Sequence, residues 1–238
     1  MKKTILAILC VTALLTNGLA QKTINDPNAQ VRDVKDFHGI SVSHAFDVYL
    51  TQGNEEKVAV SASEAKYLEF VTVEVKNGIL HIGWDNKGKK WQNGNKKLKA
   101  YVSYKKIDEL RASGACDVNI VGSLSADDLN VKLSGASDVK GQITAKKLTV
   151  DMSGSSDMKV SGESASLKID LSGASSFKGF DFVTATCDID ASGASDVKIT
   201  VNKELSVELS GASDVSYKGS ATIRDIRTSG ASSVKRAS

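Results

Sequence analysis

Seven times between residues 113 and 234 the chain returns to one hexapeptide of small residues. The copies are SGACDV from Ser113, SGASDV from Ser134, SGSSDM from Ser153, SGASSF from Ser172, SGASDV from Ser192 and again from Ser210, and SGASSV from Ser229. Their glycines, Gly114, Gly135, Gly154, Gly173, Gly193, Gly211 and Gly230, are 18 to 21 residues apart. A degenerate eighth copy, Ser43-His44-Ala45-Phe46-Asp47-Val48, stands near the N-terminus with histidine in the glycine position. Self-similarity at a fixed short period is the mark of units that cannot bury an apolar face alone and must stack.

Apolar residues alternate with period two on both sides of each hexapeptide. Leu148, Val150 and Met152 share a parity that Gly154, Ser156, Met158 and Val160 continue, and Leu167, Ile169, Leu171, Gly173, Ser175 and Phe177 repeat it. This is strand periodicity. It predicts an all-β, parallel β-solenoid whose coils of 19–20 residues lie ~4.8 Å apart, with the motif's Gly and Ser facing the interior at a narrow corner. Turns such as Val160-Ser161-Gly162-Glu163-Ser164 and Val121-Gly122-Ser123 close the coils.

The opposite parity faces solvent. It stacks Asp117, Asp138, Asp157, Ser176, Asp196, Asp214 and Ser233 into an acidic ladder beside Asn119, Lys140, Lys159, Lys178, Lys198, Ser216 and Lys235. Two like charges ~4.8 Å apart in water repel by about 0.9 kcal/mol, and neighbouring Asp–Lys pairs return a similar amount. A charge-balanced structural face therefore explains the ladder better than a calcium site, which would leave the lysines without a purpose. No metal site and no cofactor is expected.

The N-terminal third loses the repeat but keeps strand character over residues 39–43, 46–51, 57–62, 71–76, 79–84 and 97–104. Asn77-Gly78 between two alternating runs reads as a two-residue hairpin turn. Such a hairpin closes one end of a parallel stack, and residues 63–70 have room for one helical turn. Residues 85–99 hold six lysines and one aspartate, with Trp84 directly before them and the chain's other tryptophan, Trp91, among them. Trp84, Lys87, Lys89, Lys90 and Trp91 are thus the candidate ligand-binding residues, for a cell-surface glycan or a protein. The plainer reading of the same segment is a solvated hairpin tip with Trp84 half buried.

Lys2 and Lys3, the apolar run Ile5 to Leu15, and Gly18-Leu19-Ala20 form the three parts of a cleavable export signal over residues 1–20, too short to span a bilayer. Residues 21–238 then form one domain: an irregular β region over 21–105 and regular repeats over 106–238. Removing the signal lowers the net charge from +3 to +1, which argues against nucleic acid as a partner. It leaves Cys116 and Cys187, expected as separate buried thiols. His38, His44 and His81 lack metal-ligand spacing, and no GxSxG, GxxxxGK[ST] or HExxH pattern occurs. A non-enzymatic binding protein is the expectation. The rival is a carbohydrate-active enzyme built on the same solenoid, and a third possibility is a structural protein whose coils stack end to end.

Three stretches carry a resemblance. Phe37-His38-Gly39-Ile40-Ser41-Val42-Ser43 with Ala45-Phe46-Asp47-Val48-Tyr49-Leu50-Thr51-Gln52-Gly53, Val73-Glu74-Val75-Lys76-Asn77-Gly78-Ile79-Leu80-His81-Ile82, and the SGASDV repeats together resemble the head-GIN domain family of auto-transporter adhesins. The resemblance spans essentially the whole exported chain. It implies a right-handed β-helix head and a role in adhesion or surface interaction, and it transfers no catalytic residue. The sequence runs to Lys235-Arg236-Ala237-Ser238 directly after a repeat, without a membrane barrel. Export to the periplasm, to the outer surface or to the medium by another route is the matching expectation.

Overall fold

The computed structural model describes residues 26–86, 88 and 96–237. The export signal expected over residues 1–20 lies outside them. Alternating Val, Leu and Ile put most of the described residues into strands. In chain order the first eight are β1 (Gln30–Arg32), β2 (Gly39–His44), β3 (Phe46–Gln52), β4 (Lys57–Ser61), β5 (Val71–Lys76), β6 (Ile79–Trp84), β7 (Leu98–Tyr104) and β8 (Glu109–Gly114). The regular part follows as β9 (Asp117–Gly135), β10 (Asp138–Met152), β11 (Asp157–Leu171), β12 (Ser176–Ala191), β13 (Asp196–Leu209), β14 (Asp214–Lys218), β15 (Thr222–Thr228) and β16 (Ser233–Arg236).

From β9 to β13 each strand lies parallel on the one before, and motif residues pair with motif residues: Asp117 with Asp138, Asp138 with Asp157, Leu148 with Leu167, Leu167 with Cys187. The fold is a parallel β-solenoid. Its interior is a set of aliphatic columns, among them Val118, Val139, Met158, Phe177, Val197 and Val215, all at most 1% exposed. Both thiols are free and buried. Cys187 stands in a leucine column between Leu167 and Leu205. Cys116 takes the place of the motif's second serine.

One detail of the parity reading needs correction. The second serine faces inward, with Ser137, Ser156, Ser175, Ser195 and Ser213 at most 2% exposed, but the glycine before it points outward at the corner. The chain must turn there without breaking its ladder, and it does so with φ between +73° and +93° at all seven glycines. A left-handed backbone is open to glycine and strained for other residues. The glycines also lie one upon another: a Cβ on Gly154 would sit 2.4 Å from the carbonyl oxygen of Gly135, and Gly135 stands in the same relation to Gly114. His44 underlies Gly114 and adopts φ +79°, so the degenerate copy occupies a true rung in the glycine conformation.

The presumed turns around Gly122 and Gly162 are bends inside β9 and β11, not breaks between strands. Bulges beside them absorb the unequal coil lengths. The 21-residue coil carries two residues more than the next, and its ladder passes from the Lys140–Asn119 pair directly to Gln142–Ser123. Coils of equal length, as in β10 on β11, stay in register throughout. The motif corner keeps a constant geometry because the opposite wall takes the variation.

Coil order departs from chain order at the N-terminus. β2 and β3 lie between two later rungs, pairing in parallel with β6 and β7 on one side and with β8 and β9 on the other. Residues 53–107 thus leave the stack, build a rung on its outer end and return. Asn77 and Gly78, both with positive φ, join β5 to β6 in an antiparallel hairpin. On the other wall β4 runs antiparallel to β7, and β1 antiparallel to β4. Antiparallel edges close this end, as solenoids require. β1, three residues with Val31 largely in solvent, gives no periodic signal and is invisible in the sequence.

Gly154→Ala should unfold at clearly lower denaturant, losing about 3 kcal/mol or more, because strain and a backbone clash add. Gly122→Ala, also at positive φ but with nothing within 4 Å, should lose only about 1 kcal/mol. Chemical denaturation of the two variants separates the stacking clash from the conformational penalty.

Candidate binding surface

Each hexapeptide residue has one task at the corner. The buried serine would leave a hydroxyl without water, so it donates to the carbonyl of the first serine: Ser137 to Ser134 at 3.1 Å, Ser156 to Ser153 at 3.1 Å, Ser195 to Ser192 at 2.8 Å. Cys116 Sγ makes the same contact with Ser113 at 3.4 Å. The corner amides meanwhile donate to the glycine one coil below, as in Ser155 to Gly135 at 2.7 Å and Ala174 to Gly154 at 2.7 Å. With the corner pinned, the next two outward residues fall into straight columns.

Those columns are the two charge ladders. Asp47, Asp117, Asp138, Asp157, Ser176, Asp196, Asp214 and Ser233 are register neighbours in turn, and so are Tyr49, Asn119, Lys140, Lys159, Lys178, Lys198, Ser216 and Lys235. Lys140 pairs with Asp138 at 3.6 Å, Lys198 with Asp196 at 3.3 Å, and Lys178 reaches diagonally to Asp157 at 2.9 Å. Exposed pairs of this kind are individually worth little. Their joint effect is to cancel the repulsion along each column. Among the described residues no group of three or more His, Cys, Asp and Glu is arranged to hold a metal.

The balance ends at the N-terminal rungs. Three carboxylates, Asp47, Asp117 and Asp138, follow one another, while the lysine column continues as Lys140, Asn119, Tyr49 and Tyr101. The Tyr49 and Tyr101 rings stack with centroids 5.2 Å apart and 16° between planes. Tyr101 donates its hydroxyl to Asp26 at 2.9 Å. Burial, and then that bond, push the Tyr101 phenol above its usual range, so it remains a neutral donor. On the other side of Tyr49 the short Asn119 opens a notch of about 230 Å³, walled by Tyr49 and Lys140 and floored by Asp47, Asp117, Asn119 and Asp138. Sequence reading missed this place. The signal was available, because the register of the degenerate copy already puts Tyr49 in the lysine column.

The predicted tryptophan and lysine group is placed only in part. Trp84 is half buried, its ring 5.2 Å from Phe70 and 6.4 Å from Tyr67, with the Lys96 ammonium 5.7 Å from its centroid. It roofs the 3-10 turn Ala65–Phe70. Lys87, Lys89, Lys90 and Trp91 lie outside the described residues. The hairpin-tip reading is corrected: β6 pairs with β2 and β5, and β7 with β3 and β4, so β6 and β7 are not hairpin partners.

Two histidine contacts complete the polar surface. Ser43 Oγ and His44 Nδ1 are 2.9 Å apart, a local contact beside the corner. His38 Nδ1 lies 2.9 Å from Asp108, and the hydrogen bond to that carboxylate, followed by its charge, raises the His38 pKa.

The profile of the family described as "Putative auto-transporter adhesin, head GIN domain" matches residues 36–221. The chain belongs to this head-GIN family. Three solved structures share its fold. A putative adhesin from Bacteroides fragilis has TM-score 0.80 at 22% identity, covering 88% of this chain and 96% of that one. A putative adhesin from Parabacteroides distasonis has TM-score 0.70 at 17% identity, covering 88% and 96%. A putative lipid binding protein from the same organism has TM-score 0.68 at 18% identity, covering 90% and 98%. No curated protein matches the chain. The profile ends before β15 and β16, so the last rung of this head-GIN protein lies beyond the matched stretch. No helix among the described residues is long and apolar enough to cross a membrane.

Histidine titration followed by NMR should give His38 a midpoint above the free imidazole value of about 6.5, and Asp108→Asn should bring it back down. The sign follows from linkage. A raised folded pKa adds stability below the unfolded pKa, and that stability fades as pH rises through the folded pKa.

Proposed function

We propose that this head-GIN protein is an exported, non-enzymatic adhesin-type module that holds a hexopyranose of a cell-surface glycan in the notch beside Tyr49. One observation carries the reading. Tyr49, stacked on Tyr101 on one side, faces a gap one rung wide on the other, in a column that beyond it carries lysines at every rung but that of Ser216. A sugar ring entering there meets an aromatic face, three carboxylates that accept from hydroxyls, the Asn119 amide and the Lys140 ammonium. The lining is mostly polar, and the Tyr49 ring is its one aromatic face. The small volume suits a single sugar ring.

Family membership supports adhesion, and the export signal read over residues 1–20 supports a destination where adhesion is useful. The non-enzymatic reading rests on the absence of an assembled nucleophile, base and acid among the described residues. His38 holds Asp108 as its partner, and the Ser43–His44 contact joins sequence neighbours at a corner. The solenoid supplies a rigid rod and a repeated face, which suit holding better than turnover.

Saturation-transfer NMR with a panel of methyl hexopyranosides should show transfer to at least one sugar, competed by its oligosaccharide. One stacked ring is worth about 1 kcal/mol, so Tyr49→Ala should weaken binding about fivefold, while Tyr49→Phe keeps it. Transfer that survives unchanged in Tyr49→Ala, or no transfer to any sugar, contradicts the proposal.

A further inference from the structure

The two ends of the solenoid differ. Antiparallel β1 and β5 close the N-terminal end, whereas β15 pairs only with β13 and leaves its outer edge open among the described residues. The core columns run out at that edge. Leu205 is 0% and Val207 2% exposed, but their partners on the last rung, Ile223 and Ile226, are 37% and 42% exposed.

We infer that a second copy of this chain covers the edge, through antiparallel pairing of β15 with β15 about a two-fold axis. The residue pattern selects the partner and the register. With Arg224 opposite Asp225 of the other copy, each Ile223 faces an Ile226 and each Thr222 faces an Arg227. Two ion pairs and two apolar pairs result, and no like charges meet. A bulge at Arg224, where the ladder passes from Leu205–Ile223 to Ser206–Asp225, lets inward residues face inward ones in this register. Sliding by one residue either way puts Asp225 against Asp225 or Arg224 against Arg224. The neighbouring strand β16 carries Lys235 and Arg236, charges that discourage pairing there and leave β15 as the contact. Because both copies use the same patch, the assembly closes at two and does not grow into a filament. The inference is independent of the sugar notch, which lies on the outer wall at the opposite end of the stack.

Light scattering of the full chain from micromolar to millimolar concentration should show the mass rising from one copy to two and stopping there. Ile226→Asp should raise the dissociation constant at least tenfold without lowering the thermal midpoint of the dilute protein. In a Cys10→Ser background, Ile223→Cys with Ile226→Cys should oxidise to a covalent dimer. Ile226→Cys alone should not, because its two copies stand about 8 Å apart along the paired strands, beyond disulfide reach. A constant monomer mass, growth beyond two copies, a double variant that fails to cross-link, or cross-linking by Ile226→Cys alone overturns the inference.

Discussion

The structure depends on a corner that turns the chain without interrupting its hydrogen-bond ladder. A parallel coil must present every N–H and C=O along the solenoid axis even where its direction changes, since an unmatched pair inside the stack costs as much as a lost hydrogen bond. Positive φ at the motif glycine achieves this, and each glycine oxygen receives the amide of the next coil at 2.7 to 2.8 Å from Ala136 through Ala231. The close approach that makes these bonds also forbids a Cβ. The same corner needs a small inward donor, met by the buried serine or by Cys116, and a residue of any polar kind outside. The hexapeptide is the chemical statement of that corner.

From this follows the separation between a uniform core and a variable surface. Registered corners align Val, Met and Phe in columns, so neighbours of unequal size meet along one line, and Phe177 fits by packing edge-on against Phe182. Variation in coil length passes to the opposite wall, where bulges accept it. Aligned corners also align charge. Alternating Asp and Lys columns keep the long face near neutral, with single serines at 176, 216 and 233, and the lysines give way on successive rungs where Asn119, Tyr49 and Tyr101 replace them. The proposed binding uses that departure, since a repeating face treats every position alike while a single notch distinguishes one.

Much of this was legible in the residues. Period two and a recurring 18- to 21-residue spacing specify parallel coils, and the outward Asp and Lys columns follow by counting. The Asn77-Gly78 hairpin was equally plain. Other features depend on three-dimensional placement. The inward serine and outward glycine share a parity in the sequence, and only the left-handed turn separates them. The rung order, with β2 and β3 between later coils, is hidden because residues 53–107 depart and return without repeating. Trp84 and its lysine-rich neighbour segment looked like a ligand grip by composition, yet the Trp84 ring spends its surface on Phe70 and Tyr67. Tyr49 drew no notice because a lone tyrosine in a strand means little until its register neighbours are known.

Amide hydrogen exchange at the motif corners tests the central claim most directly. The amides of Ala136, Ser155, Ala174, Ala194 and Ala212 belong to residues whose side chains lie in solvent at a bend, where ordinary turns exchange quickly. If glycine stacking holds the coils together, these five amides should exchange only with global unfolding, as slowly as the core amides of Val139 and Ile169. Fast exchange at the corners alongside a protected core would show that the coils are held by their apolar interior alone and that the stacked corner is incidental.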